Sequence, residues 1–288
     1  SWGWSDVADL NYDNKELRKE MTADMLHWIK NENIDGFRCD VASNVPLDFW
    51  QQAIPQLRKE KDIFMLAEAW EPELLKDGLF DMAYGWEVHH TMNRIAQGKN
   101  TVKDWDRLIE ENAKKYESND ILMSFVDNHD ENSWNGTVKG RLGKAEEAMT
   151  ALSYVMPGMP LIYSGNEYGL NHSLKFFEKD SIPKIKGKEW ELRAKLGKLK
   201  AENIALNGGK NKDKYTRIKT NDDTNILAFV REKNGKKVVY IANFSSKPIN
   251  SKVTITGEFV NYMTGKPMSL NDKVVITLQP FQYFILTN

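Results

Sequence analysis

From residue 14 to residue 206, short apolar runs alternate with segments whose apolar positions recur at helical spacing. In "NKELRKEMTADMLHWIKNEN", Leu17, Met21, Met25, Trp28 and Ile29 share that spacing, which predicts a helix with Asn14 as its N-cap. A strand follows at 34–40, a helix from near Pro46, and a strand at 62–70, "DIFMLAEAW". A weaker strand at 79–84 precedes helical stretches in "HHTMNRIAQG" and "VKDWDRLIEENAKKY". The next strand is expected at 121–130, "ILMSFVDNHD", then the helix "KAEEAMTALSYVM", the strand "MPLIYSGNE" and a helix across 188–206. Strands alternating with helices predict a parallel sheet with both faces covered, open or closed into a barrel.

The pattern changes at "NGGKNKDK", 207–214. Beyond it lie short strands with turn residues, and Asn234-Gly235 between two β-rich runs signals a hairpin. This second domain is expected to be a small antiparallel sandwich.

Composition adds limits. The 288 residues carry a net charge of −1, with 41% hydrophobic and 28% charged residues, as in a soluble globular protein. There is no general basic field for nucleic acid, and the Lys-rich patches at 184–188 and 208–214 read as solvated loops. No apolar run approaches a membrane span. One cysteine excludes an internal disulfide and leaves the redox compartment open.

The strand ends break their own pattern. In "IDGFRCDVAS", an extended backbone places Phe37, Cys39 and Val41 on one face, and Arg38 and Asp40 on the other. Such charges are costly unless they pair or work. Asp40, Glu68 and the acids of "DNHD", 127–130, each end a strand, and the carboxyl ends of barrel strands open on one face. Converging carboxylates suit either a hard divalent metal or cleavage of a glycosidic bond. For the second chemistry, Arg38 would keep Asp40 ionised. The apolar approach "IFML" and Trp70 would favour a protonated Glu68. His89-His90 cannot share one helical face, so a metal site there is not expected.

"GFRCDVAS", "LAEAW" and "FVDNHD", in this order after successive strands, resemble three signature regions of the α-amylase family (glycoside hydrolase family thirteen). "DVADLNYDN" resembles the exit from that family's inserted B domain, "MPLIYSGNEYG" its eighth barrel strand, and "LKAENIALNGG" its last barrel helix. The resemblance implies a partial (β/α)8 TIM barrel, about strands four to eight, followed by a small antiparallel β-sandwich domain. The expected boundaries are 1–13 for the end of the B domain, 14–207 for the later part of the barrel, and 208–288 for the sandwich.

The resemblance also implies a retaining α-glucan hydrolase. Asp40 is the implied nucleophile, Glu68 the general acid and then base, and Asp130 the residue that grips sugar hydroxyls and stabilises the transition state. Arg38, Asn128, His129 and Trp70 are the implied substrate-binding residues. Retention requires the Asp40 and Glu68 carboxyls about 5–5.5 Å apart. Trp2, Trp4 and Trp134 are further candidates for sugar contact, beside an ordinary structural role. The expected partner is an α-glucan or maltooligosaccharide, and degradation of polymeric glucan leans towards a place outside the cytoplasm.

The family's first signature region, an Asp and an Asn-His pair, has no counterpart here, nor do barrel strands one to three. The chain is therefore expected to need upstream barrel strands. The family's usual calcium site lies in that absent region, so no cofactor is assigned. A family transglycosylase and a noncatalytic glucan-binding fragment remain the alternatives.

Overall fold

The computed structural model describes residues 3–207, 209–211 and 213–288, in two compact units, Ser1–Tyr84 and Gly85–Asn288. The first unit holds α1 (Lys15–Glu32), β1 (Gly36–Cys39), α2 (Leu47–Glu60), β2 (Phe64–Ala67) and β3 (Met82–Tyr84). Asn14 caps α1 as expected, its side chain accepting from the N–H groups of Glu16 and Leu17. The buried residues of α1 are Thr22 and Ile29, whereas Trp28, on the predicted apolar stripe, is exposed. By contrast, α2 buries Phe49, Trp50, Ala53, Ile54 and Leu57, the one-sided pattern of a helix laid on a sheet.

β1, β2 and β3 pair in parallel, with Arg38 opposite Leu66 and Leu66 opposite Met82. Gly36 makes the first pairing possible. A Cβ there would sit 1.8 Å from the Phe64 carbonyl oxygen, a distance no side chain tolerates.

The second unit continues with α3 (Trp86–Ala96), α4 (Val102–Lys115), β4 (Ile121–Ser124), α5 (His129–Trp134), α6 (Val138–Leu142), α7 (Glu146–Val155), β5 (Met159–Pro160) and α8 (Lys188–Glu202). β4 and β5 pair in parallel, with Met123 opposite Met159. All five parallel strands are shorter than their patterns predict: β1, β2 and β3 cover Gly36–Cys39, Phe64–Ala67 and Met82–Tyr84 against the expected 34–40, 62–70 and 79–84, and β4 and β5 shorten likewise. The strand expected over 121–130 ends at Ser124, because Asn128 turns the chain into α5 by accepting from the N–H of Glu131 at 2.8 Å. The strand expected from 159 covers Met159–Pro160, and a short 3-10 turn forms at Asn166–Tyr168.

The antiparallel part comprises β6 (Lys214–Arg217), β7 (Ile226–Lys233), β8 (Lys236–Asn243), β9 (Ile249–Ser251), β10 (Gly257–Asn261), β11 (Pro267–Leu270), β12 (Ile276–Leu278) and β13 (Tyr283–Thr287). A six-stranded sheet runs β11-β10-β13-β8-β7-β6, and β12 pairs with β9. Asn234 and Gly235 make the β7–β8 turn with φ of 49° and 79°, the left-handed pair that an Asn-Gly hairpin uses.

β7 over 226–230 and β8 over 238–242 are apolar without alternation because both faces of these stretches are covered. One face carries Leu227, Phe229, Val238 and Tyr240 into the core built by α3, α4 and α7. The other carries Ile226, Ala228, Val239 and Ile241 into the sandwich core. Tyr240 Oη donates to the Ala148 carbonyl at 2.7 Å, and Arg231 to that of Val155 at 2.9 Å. The change of pattern near residue 207 is therefore not a gap in packing: helices and antiparallel strands share one unit.

Candidate active site

In the first unit, β1 ends at Cys39 and the chain turns at once. Val41 has φ of 41°, so it leaves the strand and does not share a face with Phe37 and Cys39, contrary to the alternation expected from sequence. Cys39 is buried, and burial pushes its thiol up to about 12. Asp40, at the turn, is the more exposed carboxylate, with three quarters of its side chain open to solvent (75%). Glu68, one residue past β2, has a side chain that is 15% exposed.

Arg38 gathers these two acids. Its Nη1 donates to Asp40 Oδ1 at 2.5 Å, its Nη2 pairs with Glu68 Oε1 at 3.1 Å, and its Nε donates to Tyr84 Oη at 3.1 Å. The guanidinium also lies 5.6 Å from the Tyr84 ring centroid. Burial alone would disfavour its charge. The Tyr84 hydrogen bond and the carboxylates outweigh that and raise its pKa.

Glu68 Oε2 accepts from the backbone N–H of Val41 at 2.7 Å, which ties the second strand end to the turn of the first. Where the sequence predicts apolar surroundings for Glu68, its contacts include an ion pair and a backbone N–H. Its predecessors Met65 and Ala67 are buried, but they alternate with Glu68 rather than enclose its carboxyl. Trp70 is 49% exposed.

In the second unit, "DNHD" lies at the start of α5. Asn128 is buried, its Oδ1 caps the helix, and its Nδ2 has no hydrogen-bond partner among the described residues. His129 and Asp130 are half-buried, with His129 Nε2 3.5 Å from Asp130 Oδ2.

A buried polar network holds this segment, and sequence reasoning missed it. Asp127 pairs with Arg141 at 2.6 Å and accepts from Asn166 Nδ2 at 3.2 Å. Burial raises the Asp127 carboxyl despite Arg141. Glu131 pairs with His89 at 3.0 Å. Burial would push the Glu131 carboxyl up, but His89 and Arg141 bring it below its ordinary value. A histidine on a helix face followed by a Glu beside the "DNHD" run was the only available signal, and nothing in spacing joins them.

Trp4 and Trp134 are exposed, and Trp2 lies outside the described residues. Among the described residues, no group of three or more His, Cys, Asp or Glu side chains could hold a metal ion. Among the described residues, no helix is long and apolar enough to cross a membrane.

Residues 2–230 match the model of the alpha amylase catalytic domain. The chain belongs to the α-amylase family. Residues 216–285 match the maltogenic amylase C-terminal domain. The family's parallel strands and helices are here part of a (β/α)8 barrel, followed by an antiparallel β domain.

An intracellular maltogenic amylase of Bacillus subtilis is 26% identical over 317 aligned positions, covering 98% of this chain and 50% of that protein. The alpha-amylase MalA of Haloarcula japonica is 25% identical over 168 residues, 58% of this chain and 25% of that one. The chain thus spans half or less of these curated relatives. In fold it is similar to the noncanonic maltogenic alpha-amylase AmyB of Thermotoga neapolitana. That match has a TM-score of 0.87 at 24% identity and covers 98% of this chain and 68% of the other.

Proposed function

We propose that this chain carries the acids of a retaining α-glucan hydrolase cleaving α-1,4-glucosidic bonds. Asp40 is the nucleophile, Glu68 the acid/base, and Asp130 the residue that binds sugar hydroxyls. In this reading, residues 14–207 are barrel, and residues 208–288 are the C-terminal β domain. The observation that carries it is the fork of Arg38 on two carboxylates, Asp40 and Glu68, at the ends of adjacent parallel strands.

The fork suits a two-step mechanism. In the first step Asp40 Oδ attacks the anomeric carbon while Glu68 gives its proton to the departing glycosidic oxygen. Asp40 thereby becomes an uncharged ester. While Asp40 is ionised, its negative charge near Glu68 favours the proton on Glu68. Once the ester forms, that repulsion is gone and Arg38 bears on Glu68 alone, which favours the carboxylate. Glu68 is then the base that takes a proton from water as the water displaces Asp40. The charge on Asp40, present before the first step and lost in the ester, thus switches the state that Glu68 favours, while Arg38 stays in place.

Asn128, with an unpartnered buried Nδ2, is placed in this reading to donate to a sugar oxygen, beside His129 and Asp130.

The test is the anomer released first from maltooligosaccharide by the complete protein, followed by proton NMR. Retention predicts the α anomer. Asp40→Asn and Glu68→Gln are each predicted to cut kcat by several orders of magnitude. First release of the β anomer, or near-normal rates in either variant, contradicts the assignment. Products longer than the substrate would move the reading to glucan transfer by the same acids.

A further inference from the structure

Trp134, Phe176 and Phe177 form a cluster of large apolar side chains at the surface, 61%, 47% and 74% exposed. Trp134 closes α5, and the two phenylalanines belong to the loop between β5 and α8. Their ring centroids are 5.3 Å (Trp134–Phe176), 6.5 Å (Trp134–Phe177) and 4.8 Å (Phe176–Phe177) apart. A contiguous aromatic patch left open to water costs free energy that a folded chain normally recovers by covering it.

Here the backbone holds the patch open. The buried Asn132, on α5, accepts from the N–H of Leu174 at 2.7 Å and donates to the carbonyl of His172 at 3.4 Å. Thr137 donates to Asn171 at 2.9 Å. Asp180 accepts from the N–H groups of Lys175 at 3.0 Å and Ser181 at 2.7 Å. The loop is therefore stapled to the helix on one side and to itself on the other, with the rings turned outward.

We infer that Trp134, Phe176 and Phe177 form a stacking platform for glucose units of an α-glucan chain, continuous with the sugar contact of Asp130. The inference rests on the proposed role of Asp130. Asp130 and Trp134 are four residues apart on α5, so they lie on one helical face, one turn from each other. A chain gripped by Asp130 and running along that face meets the indole next.

The chemistry favours a sugar over an apolar partner. A glucose ring has a C–H face that covers an aromatic face, while its hydroxyls project from the edge. The loop that carries the two phenylalanines also carries polar side chains for those hydroxyls: His172, paired with Asp180, and the exposed Lys175–Glu178 pair at 2.7 Å. Rigid rings also limit the ordering cost of binding.

The probe is an S-linked maltohexaose, whose thioglycosidic bonds resist cleavage. Its affinity is read by calorimetric titration of the complete protein, independently of turnover. Trp134→Ala and Phe177→Ala are each expected to raise Kd roughly tenfold, and Trp134→Phe no more than about threefold. Val275→Ser, at an exposed apolar site of the β domain, is expected to leave Kd unchanged. In wild-type protein, the ligand is expected to protect Trp134 from N-bromosuccinimide oxidation, followed by peptide mass spectrometry.

Unprotected Trp134, or alanine variants within about twofold of wild type, overturns the inference. So does loss of self-association in Trp134→Ala with Kd unchanged, which would make the patch an interface between two copies. Rates of Asp40→Asn and Glu68→Gln judge the catalytic reading separately, because binding of an uncleavable ligand does not depend on them.

Discussion

Replacing Arg38 with Met keeps a stem of similar reach and removes every contact of the guanidinium with Asp40, Glu68 and Tyr84. The contact with Asp40 is worth little, because that side chain is 75% exposed; an ion pair in such a setting contributes at most about 1 kcal/mol. The contact with Glu68, whose side chain is 15% exposed, is charge-assisted and better shielded, at about 1.5–3 kcal/mol. Both contacts are used in the proposed transition state, so the loss is about 3 kcal/mol, or roughly a hundredfold in kcat/KM. Arg38→Lys restores charge but not the fork, and should recover only part of that loss. Initial rates on a chromogenic maltotrioside give kcat/KM, and thermal melts report folding. A variant within about threefold of wild type at unchanged Tm would refute the role given to the fork. A lowered Tm with normal kcat/KM in the folded fraction would make Arg38 a purely structural residue.

Gly36→Ala is expected to disrupt the β1–β2 pairing, because its Cβ would meet the Phe64 carbonyl at 1.8 Å. A loss of 3 kcal/mol or more, about what severe overpacking costs, should appear in urea melts, and wild-type stability would contradict the register. Glu131→Ala leaves His89 and Arg141 without their shared carboxylate and should cost about 3 kcal/mol; an unchanged Tm would count against the network.

Lys200 is half-buried, and desolvation of its ammonium, with Arg231 nearby, lowers its pKa to about 7 from an ordinary 10.5. Between those pH values the unfolded chain holds a proton that the folded chain has lost, so stability rises with pH across that window. The slope is up to about 1.4 kcal/mol per pH unit. Lys200→Met should remove that rise between pH 7 and pH 9, and parallel pH profiles for the two proteins would contradict it.

Much of the fold was legible because it is written in local periodicities. Asn14 and the apolar stripe after it located α1, and Asn234-Gly235 located the β7–β8 hairpin. Boundaries failed where one side chain overrode the pattern. "FVDN" reads as a continuation of β4, but the capping bond from Asn128 starts α5 instead. Val41 looked like a strand residue until its left-handed φ turned the chain.

The Arg38–Asp40 pair was legible from alternation alone. Arg38's bond to Tyr84 and its grip on Glu68 were not, because each joins residues brought together by strand pairing. The Asp127–Arg141–Asn166 and His89–Glu131 contacts were invisible because helices and turns far apart in sequence bring those residues together. Long-range polar pairs leave no periodic trace. A charged residue inside an apolar strand shows that a partner is needed, not which partner it is.

The central claim is that Asp40 forms a bond to the sugar. The direct measurement is trapping with 5-fluoro-α-maltosyl fluoride, a substrate whose glycosyl-enzyme turns over slowly, followed by proteolysis and mass spectrometry of the labelled peptide. The account predicts one glycosyl adduct, on Asp40 within "GFRCDVAS". An adduct on Glu68 or Asp130, or release of the β anomer with no adduct, would contradict it.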